Sequence, residues 1–102
     1  MKHFAYFLEC ADGTLYAGYT TDVDRRVVEH NESYKGAKYT SSKRPVTLVY
    51  VESFLTRSEA MKREAEFKSW TRSKKVSFLQ EQKAIIKNVY SRDGTNKTSK
   101  LV

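Results

Sequence analysis

One cysteine, one proline, four glycines and no long apolar run mark what this 102-residue chain does without. A lone Cys10 has no internal partner for a disulfide, and one cysteine with two histidines falls short of a structural zinc site of the usual composition. Cys10 therefore reads as a packed residue at a strand end, since service as a catalytic thiolate would need a basic neighbour. No apolar stretch approaches the roughly 20 residues that span a membrane, so no membrane association is expected. The start, Met1 to Tyr6, lacks the apolar core and small-residue cleavage site of a signal peptide, which makes the cytoplasm the expected location. Neither an internal repeat nor a phosphate-binding glycine loop is present.

What the chain has in excess is positive charge. Nineteen Lys and Arg against twelve Asp and Glu give a formal net charge of +7, with a pI near 9.6 and a mean hydropathy of -0.68. Hydrophobic content of 39% and charged content of 30% describe one globular domain with a well-solvated surface. The charge calls for a polyanionic partner, nucleic acid before others. A merely basic protein is the plainer reading, but the cations are clustered. Lys35, Lys38, Lys43 and Arg44 crowd one loop, and Arg57, Lys62, Arg63, Lys68, Arg72, Lys74 and Lys75 crowd a later segment.

Residues 3–9 and 14–19, rich in aromatic and aliphatic side chains and separated by Asp12-Gly13, predict a hairpin. Two registers are open. A two-residue turn sets Tyr16 against Glu9 and puts Tyr6 and Tyr16 on opposite faces. A three-residue loop with Gly13 in the left-handed region sets Tyr16 against Leu8, with Tyr6 as its diagonal neighbour on the same face. Glycine takes positive φ freely, which favours the second.

A helix over about 22–31 follows, capped by Thr21 or Asp22, with Val23 and Val27 on its buried stripe, Arg26 and His30 on the inner flank, and Arg25 and Glu29 pointing away. An arginine beside the apolar stripe needs an anionic partner, an internal salt bridge, or a stem that carries its head to water. Asn31 to Pro45 has no sustained period and reads as a long mobile loop whose cations suit a phosphate backbone. Val46 to Ser53 is nearly continuous in apolar residues, as expected of a strand buried on both faces. Thr56-Arg57-Ser58-Glu59 has capping-box form and starts a helix over about 57–69, with Ala60, Met61, Ala65 and Phe67 expected inside. Glu64 falls between Ala60 and Met61 on that wheel, so its carboxylate points along the buried face. A pair with Lys68 is the plain explanation for its proximity, though not for an inward direction of both groups. A carboxylate held inside beside cations is also what a hard divalent metal uses when phosphate and water complete its shell. Trp70 is expected to close the core between helices, and Thr71 to cap a last helix reaching about Asn88.

The ordered set Phe4-Ala5-Tyr6, Tyr16-Ala17-Gly18, Arg26 with His30 in one helix, and Glu64 in a later one resembles the GIY-YIG endonuclease superfamily, in particular its small single-domain bacterial members, from about residue 3 to 80. Phe4-Ala5 stands where Gly-Ile would be, and Ala17 holds the middle of the second triplet; both changes are apolar. The resemblance implies an α+β fold, a small three-stranded antiparallel sheet flanked by helices. It implies a nuclease-like domain over 1–80, a helical extension over 81–90 and a flexible tail over 91–102, expected as a monomer. It further implies a DNA-nicking phosphodiesterase. In it Tyr6 would be the general base or a water-orienting phenolate with Tyr16 beside it, Arg26 would neutralise the scissile phosphate, and His30 would assist by phosphate contact or proton transfer. Glu64 would hold a single, weakly bound Mg2+ or Mn2+. Tyr19, Lys35, Lys38, Lys43, Arg44, Lys68 and Lys75 are the expected nucleic-acid contacts, with a protein partner as one possible source of specificity. The alternative is a nucleic-acid-binding module without turnover, and beyond it a protein-interaction scaffold carried by the last helix and tail.

Overall fold

Alternation of large apolar side chains makes three strands, and the turn chemistry fixes how they pair. In the computed structural model, which describes residues 1–32, 40 and 42–91 and side chains as far as Lys83, His3–Glu9 forms β1, Leu15–Thr20 forms β2 and Thr47–Phe54 forms β3. They make one antiparallel sheet in the order β2-β1-β3. Three helices accompany it among the described residues: α1 over Val23–Glu32, α2 over Arg57–Ser69 and α3 over Arg72–Ser91. This is the expected α+β architecture.

The hairpin adopts the three-residue loop. Gly13 has φ 85°, its N–H donates to the Cys10 carbonyl at 2.9 Å, and the Cys10 N–H donates to the Thr14 carbonyl at 2.8 Å. Leu8 then faces Tyr16 and Tyr6 faces Gly18. Since strand side chains alternate between faces, Tyr6 and Tyr16 share one. Each helix begins on a side-chain cap. Asp22 Oδ1 accepts from the Arg25 N–H at 3.1 Å, Thr56 Oγ1 from the Glu59 N–H at 3.2 Å, and Thr71 Oγ1 from the Lys74 N–H at 3.2 Å.

The sheet has two unlike faces. On one, Ala5, Phe7 and Ala17 meet Phe67 of α2 and Leu79 of α3. The Phe7 and Phe67 rings are 4.4 Å apart, and Trp70 closes the gap between the helices, 5.2 Å from Phe67 and 5.1 Å from Phe78. On the other, Tyr6, Leu8 and the buried Cys10 pack with Tyr16, Leu48, Val51 and Val27 of α1.

Three expectations change. β3 is an edge strand with no fully buried residue. Its apolar run has another cause, a bulge: Phe7 pairs with Tyr50 and Leu8 with Leu48, leaving Val49 as the extra residue. The bulge turns both Val49 and Tyr50 to the helical face, while Leu48 and Val51 stay on the other. In α2, Met61 and Ala65 are exposed, and the inner positions beside Ala60 and Phe67 belong to Arg63 and Glu64. The Arg63 guanidinium lies 4.6 Å from the Phe67 ring centroid and donates to Glu52 at 2.9 Å, so aromatic faces and a carboxylate replace the water it gives up. In α1, Glu29 does not point away but accepts from Arg26 at 3.0 Å. The last helix, expected to about Asn88, runs to Ser91, and the tail from residue 92 lies outside the described residues.

Candidate active site

The α1 side of the sheet gathers the polar groups. Tyr6, only 1% exposed, stands opposite Gly18, and a Cβ built on Gly18 would lie 2.3 Å from the Tyr6 phenol oxygen. The ring occupies the space a side chain at 18 would take, so the last residue of the second triplet is a steric requirement of the tyrosine in the first. The His30 ring of α1 meets both phenols, 5.2 Å from Tyr16 and 6.2 Å from Tyr6 between centroids. Its Nε2 lies 3.0 Å from Tyr6 Oη, and its Nδ1 lies 2.8 Å from Oγ1 of Thr40. His30 and Thr40 are both fully buried.

Burial and charge act strongly here. Tyr6 is pushed up to about 12, chiefly by burial and also by Tyr16, against the opposing hydrogen bond and charge of Arg26, with the Glu64 carboxylate adding to the rise. His30 is pushed down to about 4 by burial first and then by the Arg26 and Arg44 guanidiniums, with only Glu29 opposing. The pair is therefore a neutral phenol against a neutral imidazole near pH 7. Arg26 is itself held more firmly protonated than usual: burial works against its charge, but Glu29 and Tyr6 outweigh that.

Glu64 reaches this cluster from α2. Its side chain is 15% exposed, Lys68 Nζ sits 3.2 Å from its carboxylate, and Lys68 lies 6.0 Å from the Tyr16 ring centroid. Lys68 itself is half exposed, not turned inward. Among the described residues no group of three His, Cys, Asp or Glu converges. A single half-buried carboxylate suits a hard cation only where phosphate oxygens and waters fill the remaining positions, as Mg2+ tolerates.

The GIY-YIG catalytic domain model matches residues 2–77. The chain belongs to the GIY-YIG family. Its relatives include the UPF0213 protein of Staphylococcus epidermidis, 55% identical over 80 residues that cover 78% of this chain and 96% of that one. Another is the UPF0213 protein of Bacillus pumilus, 54% identical over 82 residues, 80% and 83% of the two chains. Among solved structures, that of the UPF0213 protein of Bacillus halodurans is 49% identical with a TM-score of 0.52, over 78% of this chain and 84% of that one. A protein of E. faecalis is 47% identical with a TM-score of 0.55, over 79% and 85%. A GIY-YIG catalytic domain supports a nuclease acting on nucleic acid, and such nucleases generally use a divalent metal. The name UPF0213 states no activity.

Within this GIY-YIG domain the sequence-predicted phosphate contacts among the described residues do not all lie on one face. Tyr19 projects from the opposite face of β2, where its hydroxyl pairs with His3 Nδ1 at 2.7 Å and Arg57 lies 5.8 Å above its ring. Lys43 donates to Asp12 at 2.7 Å, which holds that carboxyl well below the usual carboxylate range. Arg44 Nε donates to the His30 carbonyl at 2.5 Å. Both cations therefore fasten the chain to itself. Lys68 pairs with Glu64, Lys75 is half-buried in the first turns of α3, and Lys35 and Lys38 lie outside the described residues. Two site residues escaped the sequence reading. Gly18 was visible in its triplet without a reason attached, and Thr40, in a stretch of sequence without a period, carried no signal that it would meet His30. Among the described residues no helix is long and apolar enough to cross a membrane.

Proposed function

We propose that this GIY-YIG domain is a metal-dependent phosphodiesterase, an endonuclease that nicks DNA. The observation that carries the reading is the gathering of two phenols, the Arg26 guanidinium and the His30 imidazole on one side of the sheet, with the Glu64 carboxylate of α2 close enough to act on Tyr6. Arg26 neutralises the charge that grows on the scissile phosphate, where a fixed guanidinium outperforms solvent. Tyr6 is protonated at rest, so the proton moves as a relay. The attacking water gives a proton to Tyr6 Oη while Tyr6 passes its own to His30 Nε2. The water oxygen bonds to phosphorus, the bond to the leaving sugar oxygen breaks, and solvent protonates that oxygen. The incoming phosphodiester brings negative charge beside His30 and raises its basicity above the resting value. Tyr16 packs against the imidazole and keeps water from its ring. Glu64 is the residue that would hold Mg2+ or Mn2+, which supplies Lewis-acid stabilisation of the phosphate when bound.

Plasmid nicking with Mg2+ or Mn2+, compared between the parent chain and Glu64→Ala, tests the reading, with activity expected to fall at least about 100-fold. Equal cleavage by both would expose a contaminant. A second reading, a nucleic-acid-binding module without turnover, is favoured by one observation, the Lys68 ammonium already on Glu64. Its mark would be no cleavage by either chain, with salt-sensitive binding that Glu64→Ala leaves unchanged.

A further inference from the structure

The relay needs His30 Nε2 free of a proton, and the hydrogen-bond partners on both sides of the ring bear on that. Arg26 donates to the Tyr6 oxygen and has nothing to accept with. The phenol proton must therefore point elsewhere, and the acceptor at hydrogen-bond distance is His30 Nε2. A neutral imidazole carries one proton, which then sits on Nδ1 and faces the Thr40 hydroxyl 2.8 Å away. We propose that Thr40 is a positioning residue of this site: by accepting from Nδ1 its hydroxyl fixes the tautomer of His30 and turns Nε2 toward Tyr6 as an acceptor. This rests on the reading that Tyr6 and His30 handle the proton of the attacking water.

The segment that carries Thr40 is tied down on three sides. The Thr40 carbonyl accepts from the Lys43 N–H at 3.0 Å, and the Lys43 carbonyl accepts from the Ala11 N–H at 2.9 Å. The Lys43 side chain grips Asp12 in the same hairpin loop. Arg44 donates to the backbone of His30 itself. Beyond them, the Asn31 amide pairs with both backbone groups of Val46, at 3.0 and 2.7 Å. Two cations that composition assigns to nucleic acid thus help hold Thr40 where it meets the buried imidazole. Thr40 is fully buried, so its hydroxyl exchanges no partner with solvent, and loss of that hydroxyl would leave the Nδ1 proton buried without an acceptor.

Thr40→Val keeps the branched shape and removes the acceptor; Thr40→Ser keeps the acceptor. The parent chain and both variants would be labelled with 15N-histidine and their ring nitrogens assigned near pH 7, which requires resolving only two histidines. The proposal expects a proton on Nδ1 of His30 in the parent and in Thr40→Ser. It expects a shift of that proton to Nε2, in whole or part, in Thr40→Val. Cleavage by Thr40→Val should fall about 100-fold in kcat with KM little changed, the scale of a lost proton-transfer partner, and Thr40→Ser should recover most of it. A parent with its proton on Nε2, or a folded Thr40→Val that keeps it on Nδ1, overturns the proposal whatever the activity. Should Thr40→Val not fold, the parent and Thr40→Ser spectra still decide. Because the ring spectra need no cleavage, a chain that binds without cutting would refute the nuclease reading and leave this result standing.

Discussion

The two faces of the sheet are built from the same three strands and solve opposite problems. On the α2 and α3 side, Phe7, Phe67, Trp70, Phe78 and Leu79 pack ring against ring, and shape alone decides the fit. On the α1 side the large buried groups include Tyr6 and His30, each with its polar atoms matched by a neighbour. No buried side-chain nitrogen or oxygen is left without a partner among the described residues. One face therefore supplies stability that tolerates no loss of volume, and the other holds polar groups in place on that support. A change on the first should be felt in stability, and one on the second in chemistry or in pH dependence.

The largest effect expected is on the aromatic face. Phe67→Ala removes a fully buried ring and should cost about 3–5 kcal/mol in urea unfolding. A loss under about 1 kcal/mol would mean that Trp70 and Phe78 close the gap, and that the face is softer than the packing indicates. Acid separates the faces next. His30 is held near 4 in the folded chain against 6.5 when unfolded. As pH falls, the unfolded state takes up the proton first, so stability is complete above 6.5, declines through the window from 6.5 to 4, and levels off below it for this group. The loss should be roughly 3 kcal/mol at most. Denaturant midpoints at pH 7 and 4.5 would show it, and a decline of the same size in His30→Gln would remove this imidazole as its origin. Smallest is Gly18→Ala. One methyl group aimed at the Tyr6 phenol should cost about 1–3 kcal/mol by overpacking. Nicking should fall further than the stability loss explains, because the ring must move. An alanine variant as active as the parent would show that the phenol has room to spare.

The sequence was most legible where a local rule has one solution. Gly13 at positive φ selects one hairpin loop, and that loop puts both tyrosines on one face. Thr56 and Glu59 mark the start of α2, from which the inward direction of Glu64 follows. It was least legible where tertiary partners override pattern. Arg63 takes an inner position that Met61 has on hydrophobicity, since stacked rings and Glu52 receive a guanidinium better than a thioether. Lys43 and Arg44 count as free charge in any composition, and only the structure shows them paired with Asp12 and the His30 backbone. Thr40 could not be foreseen, because it lies ten residues from His30 in a stretch of sequence without periodicity.

The inner face of α2 has a consequence for the chain before it folds. Of its four inward positions, Ala60, Arg63, Glu64 and Phe67, two carry full charge. Newly made, this segment has no greasy stripe with which to stick to itself or to its neighbours. Only the finished sheet offers the rings and counter-charges that draw it in, so the helix remains water-loving until its one proper seat exists.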